Sequence, residues 1–510
     1  MAGLTSRRGF MRTAAAGGAL LGLGDLGFLS RLPAVSAAET ELDPKLVRLR
    51  PEIEPLVRTI ETTPRESLLE VVAQKVRGGT SYREVLAALL LTGVRNVQPR
   101  PSVGHKFHSV LVVNSAHLAS LSSPDGDRWL PIFWALDYTK RTQAEEERTS
   151  GWKLGPVDEK HVPPAHKARA ALVDALDQWD PAAADVAAAG LVRAAGAAET
   201  FELLYRYGMR DFRSIGHKAI YVANSQRTLS CIGWQHAEPV VRSLVYALLN
   251  HEGGPNPATS DLAADKPFRD NLSRVGKVFG EWQNGKPDDK ATREMIAILH
   301  AQSSEEACDA AVEMLARGVA PQSLWDAALV GSAELLMRQP GIVALHAMTT
   351  SNALHYAYLA SGDDQTRKLA LLQNLAFVAL FRGAAEGRGR LRDLSIDDVK
   401  PQAPKGEAAA AIEEIFADVS RNRDDAAAKV RGFIAGGGDA KQVIDAARRM
   451  TFLKGNDAHD YKFSSAALED YYHVSPAWRD QYLALSVYNL EGTGTRDNDL
   501  VRRTRAALDS

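Results

Sequence analysis

Histidines concentrate in the segment 102–120, which reads SVGHKFHSVLVVNSAHLAS and is otherwise apolar. His105 and His108 stand three residues apart, so a helix would place both on one face. Imidazole nitrogens bind Fe, Cu or Zn and also serve as general acids and bases. His117 follows His108 by about 2.5 helical turns and therefore faces the opposite side. This segment alone does not supply a three-histidine site.

A related pattern recurs in three further parts of the chain. Each copy has a helical segment, a short turn containing Gly or Ala, a second helical segment, and a third segment that opens with His or Lys. Glycine suits such turns because it adopts positive φ without strain. Repetition at this length predicts four degenerate helical units, packed as one array or as a pseudo-symmetric bundle. We place the units at approximately 64–150, 165–255, 290–385 and 405–500.

Polar residues take matching places near the start of these third segments, which are apolar elsewhere. The predicted metal ligands are all histidines of this kind: His105, His108, His217, His346 and His459. A metal centre would require several units to point their imidazoles at one enclosed space. The alternative is structural, with each histidine capping a neighbouring helix or bonding to a backbone carbonyl.

Lys218 and Lys462 stand where the other copies carry histidine. A partly buried lysine can act as a base or hold an anionic oxygen. We therefore predict catalytic roles for both lysines. The alternative is a lysine whose stem is buried and whose ammonium group stays in water.

A second distinctive segment, CIGWQHAEPVVRSLVYALLNHE, begins at Cys231. Pro239 is expected near the start of a helix, and Arg242 is expected to pair with Glu238 across one turn. We predict His236 as a third catalytic group. Aromatic and polar side chains together suit a small hydrophobic ligand; the predicted substrate-binding residues are Trp234, Tyr221, Asn114 and Arg242. The alternative is a capped helix start with aromatic packing.

Composition limits the class of protein. The 510 residues are 45% hydrophobic and 24% charged, with a formal net charge of −2, which argues against a nucleic-acid surface. Two cysteines do not make a disulfide framework. Apolar residues recur mostly at helical spacing, so the chain is predicted to be all-α. The sequence contains no HExxH, CxxC, GxSxG or P-loop motif.

The first residues contain the run SRRGFMR, followed by a short Ala/Gly/Leu segment and small residues near Ala37. This arrangement resembles a twin-arginine signal peptide over residues 1–37, ahead of a helical repeat domain over 38–510. The resemblance implies the twin-arginine export machinery as a partner and a periplasmic or secreted protein. Because that route carries folded proteins, it favours a cofactor loaded before export. We expect no stable membrane span in the mature chain.

Helical units with a histidine at the start of a third helix are similar in style to the questin oxidase-like proteins, which are α-helical oxygenases. The Gly-turn rhythm is also similar to that of carboxymuconolactone decarboxylase-like helices. These resemblances favour oxidative chemistry on a small molecule. Together with the export signal and the repeated His and Lys positions, they lead us to predict an exported oxidoreductase that acts on a small organic molecule at an internal His/Lys-lined pocket. The cofactor would be an Fe, Cu or Zn ion. Alternatives are a non-covalent haem, a non-enzymatic periplasmic metal- or haem-binding protein or helical-repeat scaffold, and a metal-dependent lyase or hydrolase.

Overall fold

The structure is a computed structural model that describes residues 43, 45–100, 107–250 and 254–509. Most of these residues lie in helices. The described part of the chain contains 22 α-helices and no β-strand, which confirms the all-α prediction. Lys45–Ser510 form one compact unit. The predicted export signal at 1–37 and the predicted ligand His105 lie outside the described residues.

The helices follow the predicted units in order. Helix α1 (Glu54–Thr62) precedes the first predicted unit, which holds α2 (Arg65–Arg77), α3 (Tyr82–Asn96), α4 (His108–Leu121) and α5 (Leu130–Thr149). The second holds α6 (Ala165–Gln178), α7 (Pro181–Ala194), α8 (Ala197–Gly208), α9 (His217–Ile232) and α10 (Ala237–Leu249). After α11 (Lys266–Val275), the third holds α12 (Asp289–Ala301), α13 (Ser304–Ala316), α14 (Pro321–Arg338), α15 (Ile342–Ala360) and α16 (Asp364–Glu386). The fourth holds α17 (Ala408–Arg421), α18 (Arg423–Ala435), α19 (Ala440–Lys454), α20 (Ala458–Asp470) and α21 (Pro476–Ser486), and α22 (Asp499–Asp509) follows. The symmetry of the four units stays a prediction.

Local sequence sets many of the helix ends. The Ser81 hydroxyl accepts from the Glu84 amide at the start of α3, and the Glu84 carboxylate accepts from the Ser81 amide in return. Such reciprocal capping satisfies two amides that the helix leaves free. Each predicted glycine turn falls between two helices, as at Gly318 (φ 85°) between α13 and α14. Gly79 and Gly437 also have positive φ, which glycine adopts without strain, whereas Gly196 before α8 has φ −85°.

Four helices, α4, α9, α15 and α20, lie at the centre and are called the central helices. Helix α4 contacts α9 and α20, and α15 contacts the same two helices, so the four close into a ring. In α4, every residue from His108 to His117 is buried. A helix that is apolar on all sides can bury all of its apolar surface only in the interior of the protein. This is why the third segment of each unit lies at the centre of the fold.

A tight turn before α9 allows close packing of the ring. Gly216 has φ 80°, and Ile215 beside it has φ 44°. A Cβ atom on Gly216 would lie 1.8 Å from Oγ1 of Thr350 on α15. Only glycine therefore fits between α9 and α15 here, directly before His217.

Helix α16 is long and apolar enough to cross a membrane, and 72% of its most apolar stretch is buried inside the protein. A core helix of a large helical protein has the same composition.

Candidate metal centre

Four imidazoles meet where the central helices begin: His108, His217, His346 and His459. Each lies in the first two turns of a different central helix. The first three are 4% exposed or less, and the His459 side chain is 14% exposed. The structure thus brings together four of the five histidines predicted as ligands. We call them the four-histidine cluster.

The rings are arranged as a square. In chain order, the distances between neighbouring ring centroids are 4.9, 4.6, 5.2 and 4.5 Å, and the His108–His346 diagonal is 6.4 Å. Nε2 of His217 lies 2.8 Å from Nε2 of His108 and 3.0 Å from Nε2 of His346. One ring nitrogen each of His108, His346 and His459 lies within 4.8 Å of the other two. The nitrogens of His108, His346 and His459 therefore surround one point, and Nε2 of His217 lies beside two of them.

Hydrogen bonds at Nδ1 fix the tautomers of three of the four rings, those of His217, His346 and His459. Nδ1 of His217 lies 2.9 Å from the Ser214 carbonyl oxygen, and Nδ1 of His346 lies 2.6 Å from that of Ile342. Nδ1 of His459 lies 2.6 Å from a carboxylate oxygen of Asp457. Carbonyl and carboxylate oxygens only accept, so each Nδ1 carries the hydrogen. In a neutral ring, Nε2 then presents a lone pair.

The lone pairs of His217 and His346 consequently face each other across 3.0 Å. Such a contact requires a cation, either a proton that makes one ring an imidazolium or a metal ion. Burial, with the nearby Lys462 charge, holds the pKa of both histidines well below the usual range, which disfavours the imidazolium. A metal ion would also use Nε2 of His459, which is buried and has no hydrogen-bond partner. The donor set therefore fits a metal ion.

Sequence reasoning missed the groups that orient these rings, namely Asp457 and the carbonyls of Ser214 and Ile342. Such outer partners fix the tautomer of a ligand and increase its basicity. Asp457 also caps α20 by accepting from the His459 amide. Its position two residues before a predicted ligand histidine is the sequence signal that could have identified it as a partner of His459. A backbone carbonyl leaves no trace in the sequence.

Lys462 lies one turn after His459, and its buried ammonium group has no hydrogen-bond partner among the described residues. Burial lowers the pKa of Lys462 from 10.5 to about 7. Its charge acts on His108, His217 and His346, which places it beside the cluster. Lys462 also lines an inner cavity of about 10 Å³ with Asn114, a predicted substrate-binding residue. That volume holds about one water molecule, so a polar ligand could lie against Lys462.

Lys218 is held elsewhere, although it follows a cluster histidine directly. Its ammonium group donates to Asp211 over 2.7 Å, and both side chains are buried. It also lies 5.1 Å from the centroid of the Trp179 ring. A buried lysine that is paired with its own carboxylate suits a structural role, and its catalytic role stays a prediction.

We expect Lys218→Met to destabilise the protein by about 3–5 kcal/mol, because it leaves the buried Asp211 carboxylate without its counter-charge. Urea denaturation measures this loss, and a second change, Asp211→Asn, should recover part of it. Metal content should be unchanged in both variants. Loss of metal at normal stability would instead place Lys218 in the site.

The remaining predicted residues make their recorded contacts with other side chains. The Tyr221 hydroxyl donates to Ser243, and its ring packs edge-on against Phe107. The ring of Trp234 packs against Phe201. The buried His236 interacts electrostatically with Glu52, Arg50 and Arg83. None of these residues belongs to the four-histidine cluster.

The predicted pair of Arg242 and Glu238 is wrong. Arg242 instead pairs with Asp185 of α7 over 2.8 Å, and Glu238 pairs with Arg193. The packing of α10 against α7 brings Asp185 to Arg242, and a neighbouring helix outcompetes a partner one turn away because it offers two carboxylate oxygens in line with the guanidinium.

Comparisons of the chain with protein families, with characterised proteins and with solved structures found no match. Function is therefore inferred from the side chains themselves.

Proposed function

We propose that this protein is an exported metal-dependent oxidoreductase, with a redox-active Fe or Cu ion held by His108, His217, His346 and His459. The observation that carries the proposal is the pair of Nε2 lone pairs that face each other across 3.0 Å. His108 can donate from Nε2 to His217 over 2.8 Å, but the lone pair of His346 then still faces that of His217. A buried cation would satisfy both nitrogens, and imidazole is a good ligand for Fe and Cu.

The distances between donors favour a redox ion over tetrahedral zinc. With metal–nitrogen bonds of about 2.0–2.1 Å, ligands at 90° stand about 2.9 Å apart and tetrahedral ligands about 3.3–3.4 Å apart. The two measured separations are 2.8 and 3.0 Å. Four histidines at right angles leave open positions, whereas four in a tetrahedron close the zinc site. This supports redox chemistry over a zinc-dependent hydrolase or lyase.

The charge of the site favours an electron-rich substrate oxygen. Four neutral imidazoles leave the full charge of a bound ion in place, and the Lys462 ammonium group lies beside them. The ion would supply a one-electron acceptor and a Lewis acid. Lys462 would donate a hydrogen bond to the substrate oxygen and hold it at the open side of the ion.

The cavities favour a small substrate. A surface pocket of about 150 Å³ shares Leu118 and Ser465 with the inner cavity beside Lys462. A molecule of a few heavy atoms could enter there and reach the ion after a small movement of Leu118. Ring centroids only 4.5–5.2 Å apart leave no space for a haem macrocycle among the imidazoles, which supports an ion instead.

We expect protein purified after native export to carry at least one equivalent of Fe or Cu per chain, as measured by elemental analysis. A chelator should remove the ion and lower the melting temperature by about 4 °C, because a ligand at 1,000 times its Kd stabilises a fold by about 4 kcal/mol. Adding the same ion back should restore the melting temperature of the protein and the absorption band of the bound ion.

Reduction with dithionite and reoxidation by air distinguish the proposed function from its competitors. A redox centre should cycle and change its absorption or paramagnetic spectrum. A silent, zinc-loaded protein would favour the lyase or hydrolase alternative. Protein that binds no metal would leave the scaffold alternative and contradict the proposal.

A further inference from the structure

A second group of ligand-type side chains lies outside the four-histidine cluster: His355, Asp470 and His473. We call it the outer cluster. His355 stands on α15 nine residues after His346, which places it on the opposite face of the helix and about 13.5 Å further along the axis. One ring nitrogen of each histidine and one oxygen of Asp470 lie within 4.8 Å of one another. The outer cluster is therefore a separate site.

The outer cluster is enclosed and incompletely satisfied. Asp470 is fully buried, and one of its oxygens accepts from Nδ2 of Asn352 at 2.8 Å. His473 places Nδ1 3.3 Å from that oxygen. His355 is 3% exposed, and its Nδ1 is buried with no hydrogen-bond partner. Burial lowers the pKa of His355 to about 3, so this ring is a neutral donor.

An ordinary ion pair explains only part of this arrangement. A protonated His473 would satisfy Asp470, but Nδ1 of His355 would remain buried and unpaired, which is costly. The ring of His355 is also held in place, since its centroid lies 4.8 Å from that of Trp325 and 4.7 Å from that of His473. Two imidazoles and a carboxylate are thus fixed around one point.

We propose that His355, Asp470 and His473 bind a second divalent cation of the Zn or Fe class. Two imidazoles and one carboxylate suit these ions and leave coordination positions open. With bonds of about 2.0–2.2 Å, donors to one ion stand about 2.9–4.4 Å apart, so donors now within 4.8 Å of one another would approach by at most about 2 Å. The site does not depend on the proposed function of the four-histidine cluster.

The charges nearby suit a cation. Asp470 and Glu469 contribute two carboxylates, while Arg227 pairs with Glu469 over 2.9 Å. Because Arg227 neutralises Glu469, the Asp470 carboxylate is the negative charge that faces the two imidazoles. The His473 side chain is 27% exposed, which gives an ion and its water ligands a route from solvent.

The test is a Zn²⁺ titration of the metal-free full-length protein by calorimetry, with three variants. Wild type should bind two equivalents. His473→Gln should bind one equivalent of Zn²⁺, with at least 100-fold weaker affinity at the outer cluster. His217→Phe should still bind the equivalent of Zn²⁺ that belongs to the outer cluster. His161→Gln is the matched control, because His161 and Asp158 form an exposed pair at the same three-residue spacing; it should still bind two.

The outcomes separate the two sites. Two equivalents in His473→Gln, or a single wild-type equivalent that His217→Phe abolishes, would overturn the outer site and leave the four-histidine centre standing. A wild-type equivalent that survives His217→Phe and is lost in His473→Gln would support the outer site alone. If His473→Gln loses helicity by circular dichroism, His355→Gln replaces it with the same expected result.

Discussion

Replacing His217 with phenylalanine is expected to empty the four-histidine centre. His217 lies between His108 and His346, with Nε2 separations of 2.8 and 3.0 Å, so its loss removes the donor shared by both. Loss of an outer partner alone typically weakens metal binding by about 10–100-fold, and loss of the ligand itself should cost at least about 100-fold. Fe or Cu content by elemental analysis and the redox spectrum measure the effect.

His117→Phe is the control for this experiment. His117 lies on a central helix, is 8% exposed and bonds to the Tyr82 hydroxyl through Nδ1, but it faces away from the cluster. It should keep its metal, and both variants should keep their helicity. Equal metal content in the two variants would contradict the proposed centre.

Replacing Lys462 with methionine is expected to stabilise the metal-free protein and to weaken the binding of small anions to the metal-loaded protein. The buried ammonium group has no partner, and replacing buried charge by an apolar side chain of similar volume stabilises proteins by about 1–4 kcal/mol. A hydrogen bond to a charged group contributes about 1.5–3 kcal/mol. Azide, as the probe anion, should therefore bind about 10–150-fold more weakly.

The stability gain should depend on pH in a defined direction. The folded pKa of Lys462 is about 7, against 10.5 for an ordinary lysine. Between these values the unfolded chain binds the extra proton, so wild-type stability rises as the pH rises from about 7. The advantage of Lys462→Met should be greatest below pH 7 and shrink towards pH 10.5, as urea denaturation would show. A pH-independent or negative difference, or unchanged azide affinity, would contradict this role.

Much of the candidate site follows from the recurrence of polar residues in the third segments. His108, His217, His346 and His459 were selected from the sequence because each stands near the start of an otherwise apolar segment. Helical periodicity also separated His117 from His108, and the structure places the two on different partners. Lys462 and Asn114 were selected by the same reasoning, and both line the inner cavity.

Other features of the structure depend on contacts between residues that are far apart in the chain. Lys218 and Lys462 look equivalent in sequence, yet Asp211 pairs with Lys218, whereas within the described part of the chain the Lys462 ammonium group has no hydrogen-bond partner. Arg242 forms its ion pair with Asp185, 57 residues away, and not with Glu238 on its own helix. The outer cluster joins His355 to residues more than a hundred positions later, and no local pattern signals that contact.

The sequence by itself determined the helices, their capped ends and glycine turns, and the buried character of the central segments, because hydrophobic periodicity and backbone φ preferences act over a few residues. Only the tertiary structure decided which imidazoles meet, which nitrogen of each ring carries the hydrogen and which charged side chain stays unpaired. Those properties depend on how α4, α9, α15 and α20 close into a ring, and ring closure is set by the packing of distant faces.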